Sequence, residues 1–165
     1  MKKLVSLILI GMMIVPMSLQ AQKDVKSFVE QYKKKEGFTV ITIGKPIMSM
    51  VGVFAKFGKD KETAEIVKRV STIQVVDGWC KNFFNETVTF CSANQYEELI
   101  EIVEHDEIMK IFGKIEGEAI TGLIVLSHSH LDNSVDMVSL TGKFTFDDIQ
   151  SITGNKGKIS AGFII

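Results

Sequence analysis

His128, His130 and Asp132 stand in the order H-x-H-x-D near the end of a long apolar stretch. Two imidazoles and a carboxylate are donor types that a divalent metal accepts. If a strand runs on to His130, the i, i+2 spacing puts both imidazoles on one face. A catalytic zinc site needs about three protein ligands and an open position, and no His follows His130 in the chain. The same residues also fit a polar strand end leading into a turn over Leu131 to Asn133, where Asp and Asn make local hydrogen bonds. His128, His130 and Asp132 are therefore the candidate metal ligands, and turn chemistry is the plainer account of them.

Other reactive types are sparser. Cys80 and Cys91 have no His within ten residues on either side, whereas a thiol nucleophile needs a base and an electropositive setting. If residues 80 to 91 form one helix, the two sulfurs share a face but lie about 16 Å apart along the axis, beyond disulfide reach. The helical recurrence of Phe84, Val88 and Cys91 favours two buried thiols over a bridge.

Glu97, Glu98, Glu101, Glu104, Asp106 and Glu107 gather carboxylates of the kind used in acid–base chemistry or calcium binding, without EF-hand spacing. The alternative is a solvated edge strand whose charge discourages stray pairing. Ser127 and Ser129 lack a G-x-S-x-G elbow, and the triplet Asn85, Glu86, Thr87 falls where a helix is expected. Met48, Met50, Phe54 and Phe57 read as core at helical spacing, or else as a sticky surface. These patterns assign no catalytic residue and imply no cofactor.

The elements that must position these groups follow from periodicity. Val25, Phe28, Val29 and Tyr32 form one face of a short helix opened by Asp24 and closed by Gly37. Phe38 to Ile43 is β-branched and aromatic and reads as a strand ended by Gly44. Pro46 suits a first helical turn, with Ile47, Met50, Val51, Phe54 and Phe57 apolar on one side. A further helix is expected from Asp60, with Ala64, Val67 and Val70 facing inward. Thr72 to Val76 reads as a second strand ended by the turn pair Asp77 and Gly78.

Beyond the less regular stretch Trp79 to Ala93, four strand-like runs follow: Glu98 to Glu104, Glu107 to Ile115, Ala119 to His128 and Ser134 to Lys143. Their short separations predict an antiparallel meander. Thr145 and Asp148 form a capping-box pattern before Phe146, Ile149 and Ile152. The apolar, glycine-containing end, Gly157 to Ile165, suits an added edge strand.

Lys2 and Lys3, an apolar run from Leu4 to Val15 and a polar stretch closing at Ala21 have the order of a secretory signal peptide. The run is short of the about 20 residues that a spanning helix needs, and Pro16 breaks it. The expectation is cleavage after Ala21, leaving residues 22–165 as one domain without a permanent membrane span. No Cys lies near that cut to be acylated, so a lipoprotein is not expected. The chain has 19 basic and 20 acidic residues; losing Lys2 and Lys3 leaves 17 against 20, a formal charge of −3. Lysines and acids are interspersed, which excludes the basic face of a nucleic-acid binder.

Three segments carry a family resemblance: EGFTVITIGKPIMSM (Glu36 to Met50), YEELIEI (Tyr96 to Ile102) and LTGKFTFDDIQSI (Leu140 to Ile152). Together they resemble the exported Bacteroidota family known as domain of unknown function 4252. The resemblance implies secretion, in a lipoprotein or plain secreted form, and confers no catalytic residues. The H-x-H-x-D string separately resembles the first half of the metallo-β-lactamase zinc motif, but departs from it at Asn133, where that motif has another His.

The expected architecture is α+β, with a mostly antiparallel sheet of five or six strands and helices packed mainly on one face. The expected function is an exported, non-catalytic envelope protein, periplasmic or secreted, that binds an envelope protein or a small ligand. Two alternatives stand beside it: a metal-dependent hydrolase using His128, His130 and Asp132, and a structural or assembly subunit of the envelope.

Overall fold

The computed structural model describes residues 24–48 and 68–149. Along them run α1 (Val25–Glu30), β1 (Phe38–Gly44), α2 (Lys45–Met48), β2 (Val70–Gly78), α3 (Lys81–Ala93), β3 (Tyr96–Val103), β4 (Glu107–Glu116), β5 (Ala119–Ser129) and β6 (Val135–Phe144). The leader, the apolar helix face from Met50 to Phe57, the helix expected from Asp60 and the segment from Gly157 lie outside the described residues.

The strands form one six-stranded antiparallel sheet in the order β1-β2-β6-β5-β4-β3. From β3 to β6 the chain is the expected meander. Its β4–β5 turn consists of Gly117 and Glu118, with Gly117 at φ +65°, a left-handed conformation that glycine adopts without a Cβ clash. The β1–β2 hairpin joins this meander through β2 and β6, with Val75 opposite Val138 and Val76 opposite Met137.

That pairing accounts for two departures from the sequence reading. Asp77 and Gly78 look like a turn but continue β2, opposite Asp136 and Val135. Val70 looks like a helix residue but opens β2 opposite Gly142. In both places a ladder partner far along the chain satisfies backbone groups that local signals would have turned away. The described chain is consequently richer in strand than in helix.

Each sheet face carries its own apolar cluster. One joins Val76, Phe112, Ile124, Leu126, Val135 and Met137 to Val25, Phe28, Val29 and Tyr32 from α1 and just beyond it, and to Phe83, Phe90 and Cys91 of α3. The other gathers Val70, Ile73, Ile111, Leu123, Val138, Leu140 and Phe144 with Ile149.

Helix ends are fixed by side chains. Asp24 caps α1, its Oδ1 accepting from the Ser27 amide at 2.6 Å. Those hydrogen bonds hold the Asp24 carboxyl below its usual value. After β6, Thr145 and Asp148 complete the expected box. The Thr145 amide donates to Asp148 Oδ2 at 2.6 Å, and the Asp148 amide donates to Thr145 Oγ1 at 3.2 Å. Asp148 also receives Arg69 Nη2 at 2.5 Å, which ties the start of β2 to the turn after β6.

Phe83 is the aromatic hinge of the first cluster. It is 1% exposed, and its ring centroid lies 4.6 Å from Tyr32, 5.3 Å from Phe38 and 6.3 Å from Phe28. Truncation leaves a cavity that fixed neighbours cannot fill, so Phe83→Ala is expected to lower unfolding free energy by about 3–5 kcal/mol. Urea denaturation of the two proteins measures this, and a loss under about 1 kcal/mol would contradict the packing described.

Candidate functional site

His128, His130, Asp132 and Cys80 collect at one end of the sheet, where β2, β3 and β5 finish and β4 and β6 begin. Across this end the register places Gly78, Val135, His128 and Ile108 in one row, on the face that carries α3. The neighbouring row, on the opposite face, runs Asp77, Asp136, Ser127 and Met109.

His128 is 3% exposed, with its ring 5.6 Å from Phe84 of α3. The ring of His130 is 4.7 Å away, as the i, i+2 spacing predicts, but His130 lies in solvent. The His130 amide donates to the Asp106 carbonyl at 2.7 Å. Asp132 takes a different part. Its Oδ1 accepts from the Ser134 amide at 3.0 Å, forming an Asx-type turn in which Asn133 takes φ +57°.

Hydrogen bonds from Ser134, and then from the Ser129 side chain, keep the Asp132 carboxyl below its ordinary value. Among the described residues, no three His, Cys, Asp or Glu side chains converge as a metal-holding group. The structure thus brings two of the three candidates together and gives the third to the turn.

The cysteines are both free. Cys80 is the N-cap residue of α3 and is half-buried, while Cys91 is buried in the first cluster, where burial pushes its thiol up to about 12. A thiol held protonated is a poor nucleophile at neutral pH. The acidic neighbourhood lies largely on β3, an edge strand. There Lys110 of β4 reaches both Glu98, at 2.9 Å, and Glu101, at 2.5 Å. Those hydrogen bonds, Glu101's first, raise the Lys110 pKa. The hidden signal was the cross-strand register that sets Lys110 opposite Glu101.

Asp136 escaped the sequence reading altogether. It lies directly opposite Asp77, and like charges in facing positions destabilise an antiparallel pair. Burial, then the charges of Asp77, Asp132 and Glu107, raise its carboxyl to about 6. A detectable signal did exist: Val-Asp-Gly in β2 and Val-Asp-Met in β6 each place an Asp at the period-2 position otherwise held by apolar residues.

Trp79 is the most prominent exposed group of this end. Its side chain is 78% exposed on the short link between Gly78, the last residue of β2, and Cys80. Leu131, in the β5–β6 turn, is 79% exposed, and Val103, at the end of β3, is 66% exposed. The end therefore combines exposed apolar groups with the Asp77–Asp136 pair and two imidazoles set edge to face.

The family model described as Domain of unknown function (DUF4252) matches residues 32–152. No curated protein and no solved structure matches the chain.

The raised Asp136 carboxyl gives a pH signature. The native state holds this proton up to about pH 6, whereas the unfolded chain releases it near the ordinary value of 3.8. The native state therefore binds more protons across that window, and stability falls as pH rises through it. Asp136→Asn removes the charge. Above pH 6 the variant is expected to exceed the wild type by about 1–2 kcal/mol after solvent screening, with the gain vanishing towards pH 4. Urea midpoints of both proteins from pH 4 to pH 8 test this; a difference independent of pH would contradict it.

Proposed function

The chain belongs to the DUF4252 family, and from that premise we propose that it is an exported, non-catalytic envelope protein that binds a partner through the loop end of its sheet. The observation that carries this reading is Trp79. A large aromatic side chain is 78% exposed on a link whose two neighbours are held, Gly78 by the β2–β6 ladder and Cys80 by the start of α3. Exposing that area costs hydration free energy, and rigid aromatic anchors of this kind dominate binding where they enter a partner's pocket. Leu131 and Val103 supply further apolar surface at the same end.

Export is supported by the signal-like order of residues 1–21, with delivery to the periplasm or the medium. Among the described residues, no helix is long and apolar enough to cross a membrane. Packing of helices chiefly on one sheet face also belongs to this reading, with α1 and α3 contributing to a single cluster.

A second reading, a metal-dependent hydrolase, is favoured by one observation, the 4.7 Å approach of the His128 and His130 rings. It requires Asp132 to leave its turn. Zinc titration calorimetry separates the two: the binding-module reading expects no heat that disappears in a His128→Ala/His130→Ala variant, and the hydrolase reading expects that loss.

The binding reading is tested by crosslinked pull-down of the tagged protein from native envelope fractions. Trp79→Ala and Leu131→Ser are expected to leave the thermal midpoint nearly unchanged, because both residues are exposed, and to reduce capture of a specific partner about tenfold or more. Equal capture by wild type and variants would place recognition elsewhere.

A further inference from the structure

The two edges of the sheet are built differently. On β3, Glu97, Glu98 and Glu101 carry charge along the strand, and a register shift between Glu98 and Ile100 bends it. Charge and bulges are both devices that stop a sheet edge from pairing with another chain. At the other edge, β1 has the sequence FTVITIG, with no charge and no proline, and its seven pairs with β2 run without a shift. Thr39, Ile41 and Thr42 are exposed, Ile41 by 51%. An edge strand bonded on one side presents free N–H and C=O groups on the other. Among the described residues, none of the backbone hydrogen bonds of turns, loops and caps involves Phe38–Gly44.

We propose that β1 is a self-association edge, on which a second copy of this chain pairs antiparallel to give a continuous twelve-stranded sheet across a twofold axis. The sequence of β1 is suited to its own copy. A twofold axis perpendicular to the sheet keeps each side chain on its own face, so facing residue numbers must sum to an even value. Centred on Ile41, this pairing sets Ile41 against Ile41, Thr39 against Ile43 and Val40 against Thr42 of the other copy. All are β-branched, which favours cross-strand packing, and the exposed Ile41 is covered.

Just outside the strand, Lys45 of one copy falls opposite Gly37 of the other and beside its Glu36. Both Lys45 and Glu36 are exposed, and the axis places one residue of either sign near each end of the paired strands. On β3 the same operation would set one glutamate-rich strand against another. The inference goes beyond the loop-end binding reading and does not rest on it, since Trp79 and β1 use different parts of the sheet.

Sedimentation equilibrium of the full chain, processed as the cell processes it, tests the proposal. The wild type is expected to be a dimer at micromolar concentrations. Ile41→Lys and Ile41→Glu each place like charges across the axis and are expected to weaken self-association about tenfold or more. Mixing the two variants restores a dimer containing one of each.

Circular dichroism reports whether the variants fold. If they do not, hydrogen exchange on the wild type decides the matter, with the amides of residues 39–43 expected to gain protection as protein concentration rises. A wild-type monomer at 100-fold higher concentration overturns the proposal, whether the edge is covered by the chain itself or reserved for a different protein. A dimer indifferent to both Ile41 variants overturns it equally.

Discussion

The connection from β2 to β3 is the constraint on which the rest of the structure depends. These strands are consecutive in sequence but occupy positions two and six of the sheet. Four interstrand spacings of about 4.8 Å separate them by about 19 Å. The chain must also travel the length of the strands, because Gly78 ends β2 at one end of the sheet and Tyr96 opens β3 at the other. A 13-residue helix is about 20 Å long, and α3, with two linking residues at each end, is long enough for that diagonal. Phe84 near its start meets His128, and Phe90 near its end lies 6.1 Å from Tyr96. With α3 so placed, the meander has room to fold back until β6 reaches β2, and α1 packs beside α3 through Phe28 and Phe90, whose ring centroids are 4.4 Å apart.

Much of this was legible locally and little of it globally. Asp24, the Thr145–Asp148 box and the four strands of the meander follow from capping chemistry and period-2 patterning, which act over a few residues. The buried side of α3 was only partly legible. Phe84, Val88 and Cys91 suggest one stripe, yet the residues most deeply buried are Phe83, Thr87, Phe90, Cys91 and Asn94. Two of these are polar, so hydropathy hides them. Thr87 Oγ1 donates to the Phe83 carbonyl, and Asn94 Nδ2 to the Phe90 carbonyl, each at 2.8 Å. A polar group that hydrogen-bonds to its own helix enters a core at small cost.

The joining of β2 to β6 had no local signature, because their sequence separation leaves register to be set by whole-sheet packing. The candidate site was readable only in part for the same reason. His128 and His130 are neighbours by spacing, whereas Asp77 and Asp136 become neighbours only through that ladder. The partial neutralisation of the acidic edge through Lys110 likewise depends on which strand lies beside β3.

A sequence that specifies one fold agrees with itself at most positions, and its violations gather where something other than folding is selected. Here they gather at one end of the sheet. Asp136 sits opposite a like charge, and Trp79 leaves a large aromatic surface in water. Both are unfavourable for stability alone, through charge repulsion and exposed apolar area. The opposite end shows the contrary pattern, with the Arg69–Asp148 contact and the capping box closing it. An interface is an arrangement in which both costs diminish together: a partner covers the indole and offers hydrogen bonds or positive charge to the carboxylates. Their clustering around Trp79 supports the loop end as the surface of the proposed binding module.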